Sequence, residues 1–307
     1  MIRKSIAIIS GKGGVGKTSL TASLSILAGN DNIDPIVLDC DVDAPNLSII
    51  LNPGEHQKIH SEDVFTTLKA NLSEELCIHC RECIDNHFCE FNALSWIEEE
   101  EIPEINYLAC EGCGACKTLC SKHAFTINTV KSGEIVSYMT KNKFPLVYGK
   151  TRLGSTTSGK LVADVKKFAQ NLPEFQNSDI IFIDGPPGIG CPVISAISGV
   201  DYAITVTEPT PSGLHDLMRA IDMVLQFKIN FGIVINKADL ESSFQEKFKK
   251  YIEKTRYNIL GSIDFDLSIP EAMSYAEPVV IYAPESPASK SIKEIYRNLK
   301  NQIWNHH

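Results

Sequence analysis

The 307-residue sequence lacks any apolar run long enough to cross a bilayer, although 43% of its residues are hydrophobic. Its start, MIRKSIAIIS, leads directly into a glycine-rich loop and has no small-residue cleavage site of the secretory kind. We therefore expect a soluble, cytoplasmic protein with a sizeable core.

Basic residues are also scarce. Lys and Arg number 29 against 38 Asp and Glu, which gives a formal net charge of −9. Residues 70–130 hold eleven acidic and three basic side chains, so nearly all of the excess negative charge lies in that segment. No stretch resembles a basic groove, so we expect no nucleic-acid partner. The acidic run Glu98–Glu101 is interpreted as a solvated loop.

Cysteines, in contrast, are concentrated. Eight of the ten lie in the same acidic segment, and a cytosolic chain would not keep them as disulfides, so metal ligation is expected. They form two runs, Cys77-x2-Cys80-x2-Cys83-x5-Cys89 and Cys110-x2-Cys113-x2-Cys116-x3-Cys120.

Outside that segment, apolar strand-like runs alternate with helical patterns. The runs predicted as strands are 5–10, 35–39, 179–184, 202–207, 231–236 and 258–263. Helices are predicted from Thr18 to about Ala28 and over SGKLVADVKKFAQNL, with Ser158 as its cap. The pattern predicts an α/β fold, a doubly wound, mainly parallel sheet. We expect this α/β domain to be in two parts, 1–69 and 131–307, with a small domain inserted at 70–130.

A phosphate-binding motif, G-x4-G-K-T, stands between the first predicted strand and helix. Its glycines allow main-chain N–H groups to surround a phosphate at a helix N-terminus. Lys17 is predicted to reach the β- and γ-phosphates, and the Thr18 hydroxyl to bind Mg²⁺. The predicted nucleotide-binding residues are Gly11, Lys12, Gly13, Gly14, Val15, Gly16, Lys17, Thr18 and Ser19.

The additional lysine, Lys12, makes the motif K-G-G-x-G-K-T, which resembles the deviant Walker A loop of the MinD/ParA/nitrogenase-iron-protein ATPases. The resemblance implies that Lys12 acts across a nucleotide-bound dimer on the partner's phosphates. A cation delivered only on association would gate hydrolysis by dimerisation, with a slow rate for the chain alone. The partner would be a second copy or a paralogous ATPase. The alternative is a solvated loop lysine.

Further residues match the same family pattern. In VLDCDVDAPNL the resemblance makes Asp41 a water-orienting or Mg²⁺-linked carboxylate, and Asp39 a residue that ties the switch loops together. Asp184 ends an apolar strand as in Walker B, where Mg²⁺ would offset its desolvation. In VINKAD, Asn236 resembles the adenine-contacting asparagine. Lys237 and Asp239 also suggest a guanine-reading motif, but the deviant loop favours ATP.

The two cysteine runs resemble a bacterial two-cluster ferredoxin, in which the fourth cysteine of each run serves the other cluster. That resemblance implies two [4Fe–4S] clusters. One would take Cys77, Cys80, Cys83 and Cys120, and the other Cys110, Cys113, Cys116 and Cys89. Glu90 and Ser121 stand where proline is usual, and five residues rather than three precede Cys89. Zinc is the alternative, and the nearby histidines are interpreted as loop residues.

The remaining features have simpler interpretations. Cys40 is expected to be a small buried hydrophobe. Cys191 follows GPPGIG, near the expected dimer face, where the nitrogenase iron protein holds a bridging cluster. One such cysteine per subunit is too few for that arrangement, so Cys191 is expected to be structural. The C-terminal amphipathic helix is expected to pack on the sheet rather than hold a membrane. His306 and His307 are either native or a tag remnant.

The chain therefore resembles MinD-superfamily ATPases that carry an inserted ferredoxin domain. This implies an ATP-binding iron–sulfur protein that couples dimerisation to electron transfer with a redox partner. The alternatives are a cluster or metal-cofactor carrier of the Mrp type, which would need an acceptor protein, and a spatial organiser of the MinD/ParA type. Its acidic charge argues against DNA binding by an organiser.

Overall fold

The structure is a computed structural model that describes residues 3–51, 58–155, 158–240 and 244–304. The chain divides into two compact units. The first, here the sheet unit, comprises Met1–Ser61, Ile135–Lys150 and Gly159–His307. The second, here the cysteine unit, comprises Glu62–Glu134 and Thr151–Ser158, so it contains the whole of the predicted insert.

The secondary structure alternates strands and helices over most of the chain. The strands are β1 (Lys4–Ser10), β2 (Pro35–Asp39), β3 (Lys58–Leu72), β4 (Leu94–Ile97), β5 (Ile102–Ile105), β6 (Phe125–Met139), β7 (Pro145–Thr151), β8 (Ile180–Pro187), β9 (Tyr202–Thr207), β10 (Asn230–Asn236) and β11 (Ile259–Ile263). The helices are α1 (Lys17–Asn30), α2 (Leu47–Ile50), α3 (Glu82–Asp85), α4 (Ala115–Leu119), α5 (Ser158–Gln170), α6 (Pro173–Asn177), α7 (Cys191–Ile197), α8 (Pro211–Gln226), α9 (Gln245–Thr255), α10 (Ser268–Ser274), α11 (Val279–Tyr282) and α12 (Pro287–Trp304).

Among the described residues, nine strands form one sheet in the order β11-β10-β9-β1-β8-β2-β7-β6-β3. Pairing is parallel from β11 through to β7. All residues of β2 and β9 are buried, as expected for strands covered on both faces. The predicted parallel α/β sheet is therefore confirmed, and the carboxyl ends of β1, β2 and β8 meet at one edge.

Helices cover both faces of this sheet. On one face α1 and α12 pack with Ile6 and Ile8 of β1, and on the other Leu217 of α8 packs with Ile233 of β10. The apolar stripe of α12, which includes Leu299 at 0% exposure, is buried in the first of these cores. The prediction that the C-terminal helix packs on the sheet is confirmed. The last three residues of the chain, which include His306 and His307, lie outside the described residues.

Five strands were not predicted from the sequence: β3, β6 and β7 of the large sheet, and the hairpin strands β4 and β5. β3 and β6, with 15 residues each, are rich in polar side chains and only partly buried, so neither carries the continuous apolar run of a central strand. β7, with the sequence PLVYGKT, contains a glycine and a lysine that interrupt its apolar run. The predicted cap Ser158 was wrong by one position, because Ser158 is itself the first residue of α5.

The cysteine unit contains most of the long strands β3 and β6, and short elements between them. Its hairpin pairs β4 with β5 in antiparallel fashion, and the exposed run Glu98–Glu101 forms the turn, which confirms the solvated-loop interpretation. Cysteines make up much of its small core. The buried members of that core are Ala70, Cys83, Phe88, Ala93, Cys110, Cys116 and Phe125.

Candidate functional site

The glycine-rich loop joins β1 to α1 at the carboxyl edge of the sheet. Gly16 caps α1 with a left-handed φ of 96°, and a Cβ there would lie 2.6 Å from Nδ2 of Asn236. A Cβ on Gly11 would lie 2.4 Å from the Cβ of Asp216. Only glycine fits these positions, so the loop can present its N–H groups to an anion.

Lys17, the first residue of α1, is 6% exposed. Burial lowers the pKa of its ammonium, while the carboxylates of Asp184, Asp41 and Asp39 act in the opposite direction. The structure thus brings the predicted phosphate-binding lysine together with Asp39 and Asp41 of the predicted switch segment and with the predicted Walker B residue Asp184.

Asp39 and Asp184 are neighbours in register on β2 and β8. Burial raises the pKa of Asp184 to about 6, although the hydroxyls of Thr18 and Thr21 and the charge of Lys17 favour its ionised form. Burial also raises the pKa of Asp39, and the nearby charge of Asp184 adds to this effect. Two buried carboxylates beside one lysine form a site where a divalent cation would relieve the desolvation cost.

Asp39 has a second task. Its carboxylate accepts the N–H of Asp41 at 3.1 Å and that of Leu47 at 2.9 Å, which ties down the segment after β2. Asp41 is only half-buried, and burial raises the pKa of its carboxyl while Lys17 lowers it. Of the two, Asp41 is the carboxylate with access to solvent.

The eight thiols of the cysteine unit line two cavities, four in each. One cavity is lined by Cys77, Cys80, Cys83 and Cys120. The other is lined by Cys89, Cys110, Cys113 and Cys116. These are the two sets that the ferredoxin resemblance implies, with the fourth cysteine of each run crossing to the other set. Phe88 contributes to the wall of both cavities.

The two cysteine runs also repeat their backbone conformation. Left-handed φ angles occur at His79 and Arg81 of the first run and at Gly112 and Gly114, the matching places of the second. His123 and its counterpart Asn92, each three residues after a fourth cysteine, are left-handed as well. The repetition supports an internal duplication and gives His79 and His123 a role in turning the chain.

Within the described residues, no group of three or more His, Cys, Asp and Glu side chains could hold a metal ion by itself. A four-iron cube has a different requirement, because each thiolate binds its own iron and the sulfurs surround a volume. Burial raises the pKa of Cys83 to about 11, and the other three thiols of its cavity act in the same direction. A cluster would reverse this by stabilising thiolates.

The two other cysteines lie in the sheet unit. Cys40 is fully buried after β2, as expected for a small hydrophobe, and burial raises the pKa of its thiol. Cys191 is exposed at the first position of α7. Its backbone is close to Gly159, where a Cβ would come within 3.1 Å of the Cys191 Cβ.

A family model described as the CobQ/CobB/MinD/ParA nucleotide binding domain matches residues 6–279. The chain belongs to this family. It is a P-loop protein, and its family consists of nucleotide-binding proteins that include MinD and ParA. The family match does not address the ferredoxin-like character of the cysteine unit, which stays a prediction.

Individual relatives extend this result. An uncharacterized protein of Methanocaldococcus jannaschii is 35% identical over 298 residues, which cover 97% of each chain. An iron-sulfur cluster carrier protein of Pyrococcus abyssi is 24% identical over 97% of this chain and 86% of the relative. The septum site-determining protein MinD of Pyrococcus horikoshii, solved with Mg-ADP, has a TM-score of 0.60 at 19% identity, covering 99% and 98%. The last of these likenesses shows a shared fold.

In this chain of the MinD/ParA family, the additional lysine of the loop, Lys12, forms an ion pair with Glu208 that was not predicted from the sequence. Nζ of Lys12 lies 2.9 Å from Oε2 of Glu208, and Nζ of Lys237 lies 2.6 Å from Oε1 of the same carboxylate. Burial opposes ionisation of Glu208, but the hydrogen bonds from Lys237 and Lys12 outweigh it and lower the pKa of this carboxyl. An acidic residue directly after β9 was the available signal. To act on a dimer partner, Lys12 must leave Glu208.

The VINKAD segment is occupied by contacts within the chain. Asn236 donates from Nδ2 to the Val15 carbonyl at 2.8 Å. Asp239 accepts the N–H of Phe265 at 2.7 Å, and Lys237 is paired with Glu208. The lysine and aspartate of the guanine-like motif thus already have structural partners.

No helix in the described ranges is both long and apolar enough to traverse a membrane.

Proposed function

We propose that this chain is an ATP-dependent iron–sulfur cluster carrier, and that its cysteine unit holds two [4Fe–4S] clusters. The observation that carries the proposal is the sorting of eight thiols into two four-cysteine cavities, in a chain of the MinD/ParA nucleotide-binding family. Relatives named iron-sulfur cluster carrier protein, which align over most of their length, support delivery of clusters over permanent storage.

The donor set suits such clusters. Four thiols line each cavity, and main-chain N–H groups of Ala70 and Ala93 point at the sulfurs of Cys110 and Cys89 at 3.4 and 3.3 Å. N–H···S bonds of this kind stabilise negative charge on cluster sulfurs. The bound clusters would supply one-electron redox chemistry and, in the carrier role, would be the cargo.

On the nucleotide side, the proposed ligand is Mg²⁺-ATP. Lys17 and the loop N–H groups would bind the phosphates, and Thr18 and Asp184 would hold the cation. Asp41 would orient water, since it is the half-buried carboxylate of the set. Asn236 would contact adenine through the second hydrogen of its Nδ2, the first being donated to the Val15 carbonyl, and ATP is favoured over GTP because the deviant Walker A loop resembles that of ATPases.

The ion pair between Lys12 and Glu208 supports a proposed role for dimerisation in hydrolysis. Lys12 would exchange Glu208 for the phosphates of a second copy or of a paralogous ATPase, which completes the charge stabilisation needed for hydrolysis. The existence of a second uncharacterized Methanocaldococcus jannaschii relative, 30% identical over 245 residues, is compatible with paralogous pairs. ATP would thereby bias the dimer, and the dimer would bias the cysteine unit.

Electron transfer is the second candidate. One observation favours it: Phe88 lines both cavities, so the two proposed clusters would be separated by a single shared wall. Such proximity suits passage of an electron from one cluster to the next.

Anaerobic purification with iron and sulfide analysis tests the proposal and separates the candidates. A brown protein with about eight irons per chain would support two cubes, whereas a colourless zinc protein would refute both candidates. Cluster transfer to an apo-ferredoxin would support the carrier. Reversible reduction with full retention of iron in the presence of that acceptor would support electron transfer and contradict delivery.

A further inference from the structure

The two four-cysteine cavities differ in how their thiols are held. In the set of Cys89, Cys110, Cys113 and Cys116, main-chain N–H groups of Ala70 and Ala93 donate to the sulfurs of Cys110 and Cys89, at 3.4 and 3.3 Å. Neither of these N–H groups donates to a sulfur of the other set, Cys77, Cys80, Cys83 and Cys120.

Burial differs in the same direction. Cys110 and Cys116 are both buried, at 8% and 9% exposure. Cys89 of that set is partly exposed and Cys113 is exposed, whereas in the other set Cys83 is buried, Cys77 and Cys120 are partly exposed and Cys80 is exposed. Each set therefore offers one exposed thiol to an incoming thiolate, and the set of Cys77, Cys80, Cys83 and Cys120 has one more partly exposed thiol.

The end of β3 accounts for much of the difference. Three consecutive residues of β3 contact the second cysteine run. A Cβ on Gly112 would come within 2.2 Å of the Leu68 carbonyl oxygen, so only glycine allows this close approach. The Ala70 N–H donates to the Cys110 sulfur. Between them, Lys69 donates from Nζ to the Cys110 carbonyl at 2.5 Å and to the Gly154 carbonyl at 2.9 Å.

Lys69 is an unusual residue for that place. It is 5% exposed, and the hydrogen bonds found for its ammonium among the described residues are those to the carbonyls of Cys110 and Gly154. A buried ammonium with only carbonyl partners is costly unless an anion is near. A four-thiolate cluster in the second cavity carries net negative charge and would offset that cost.

The first cavity is lined by two cationic residues, Arg81 and Lys122, and the second by one acidic residue, Glu111. Arg81 bonds to Glu98 at 3.0 Å and to Asp85 at 3.4 Å, with 42% of its side chain exposed. Its field at the first cavity is therefore weakened by two carboxylates and by solvent.

We propose that the two sites have unequal roles. The site of Cys77, Cys80, Cys83 and Cys120 is the exchangeable one, from which the cluster is delivered. The site of Cys89, Cys110, Cys113 and Cys116 retains its cluster, and Lys69 is the positioning residue that holds it. This inference rests on the proposed function.

Delivery from the exchangeable site is a ligand exchange without net oxidation. Four Fe–S bonds to its cysteines break and four form to thiolates of the acceptor. The protons released by the acceptor's thiols are taken up by the vacated cysteines of this chain.

The test is anaerobic iron release from the full-length holoprotein to a ferrous chelator. Release is expected in two phases of about equal amplitude, because each cube holds four irons. Cys120→Ser should remove the fast phase and Cys113→Ser the slow one. Lys69→Met should speed the slow phase by about tenfold, the factor expected for losing one charge-assisted hydrogen bond, and leave the fast phase unchanged.

Two further variants separate a charge effect from general damage. Lys69→Arg keeps the charge and should restore slow release. Lys131→Met removes a lysine of the same unit, which is 35% exposed and paired with Asp63, and should change neither phase. In a redox titration followed by paramagnetic resonance, Lys69→Met should lower the midpoint of the retained cluster alone, with a tenfold change in its reduced-to-oxidised ratio corresponding to about 59 mV.

The outcomes distinguish the two levels of inference. A protein without iron would overturn the proposed function and this inference together. A protein with two cubes that lose iron in a single phase, or whose fast phase belongs to Cys113, would overturn this inference alone. So would a slow phase that Lys69→Met does not change.

Discussion

Replacing Asp184 with asparagine should stabilise the nucleotide-free, metal-free protein while removing Mg²⁺-ATP binding. The pKa of this fully buried carboxyl is about 6, against an ordinary value of 3.8. Its ionised form therefore costs about 3 kcal/mol of folding free energy at pH 8, since one pH unit corresponds to about 1.4 kcal/mol. Asparagine carries no charge, and the hydroxyls of Thr18 and Thr21 can donate or accept, so they remain satisfied.

The direction of the pKa shift of Asp184 determines how the effect of the substitution on stability changes with pH. Because the folded pKa is raised, the penalty is absent below the unfolded pKa, grows between the two values and is complete above about 6. The advantage of Asp184→Asn in urea unfolding should therefore fall to about half at pH 5 compared with pH 8. Magnesium and ADP should stabilise the wild type but not the variant. An advantage independent of pH, or a variant less stable at pH 8, would refute this reasoning.

Three other changes give distinct results. Lys12→Ala should abolish ATP hydrolysis but preserve nucleotide binding by the monomer in calorimetry; unchanged turnover would exclude the role across the dimer. Glu208→Gln frees Lys12, which is a third exposed, and should lower the ATP concentration for half-dimerisation by about two- to fivefold in light scattering, with exposed Glu285→Gln as control. If Glu208→Gln raised the ATP concentration needed for half-dimerisation, the idea that Lys12 must leave Glu208 would be contradicted. Leu299→Ala should cost about 2–5 kcal/mol in the free energy of unfolding because it opens a cavity between α12 and the sheet; a cost below 1 kcal/mol would contradict the packing described.

The parts of the fold that sequence predicted best are those with one dominant physical signal. The runs at 35–39 and 202–207 are mostly apolar and match β2 and β9, which are buried throughout, because strands covered on both faces tolerate few polar side chains. β3 and β6 escaped prediction since their faces are partly solvated and their polar residues interrupt the pattern.

The candidate site shows a similar division. Local spacing was enough to predict that Lys17 lies at the start of the first helix and that the cysteines form two groups of four, because short loops limit where those side chains can reach. The pairing of Lys12 with Glu208 joins residues far apart in the chain and depends on β1 and β9 being neighbours. The burial of Lys69 likewise depends on how β3 meets the second cysteine run. Tertiary contacts of this kind leave no spacing signal in a single sequence.

The most direct test of the account is cluster transfer from the anaerobic holoprotein to an apo-ferredoxin, timed with Mg²⁺-ATP, with Mg²⁺-ADP and without nucleotide, for the wild type and for Lys17→Ala. The account predicts that the transfer rate depends on the nucleotide in the wild type and is the same under all three conditions in the variant. Transfer by the wild type at one rate regardless of nucleotide would contradict the coupling between the P-loop and the cysteine unit.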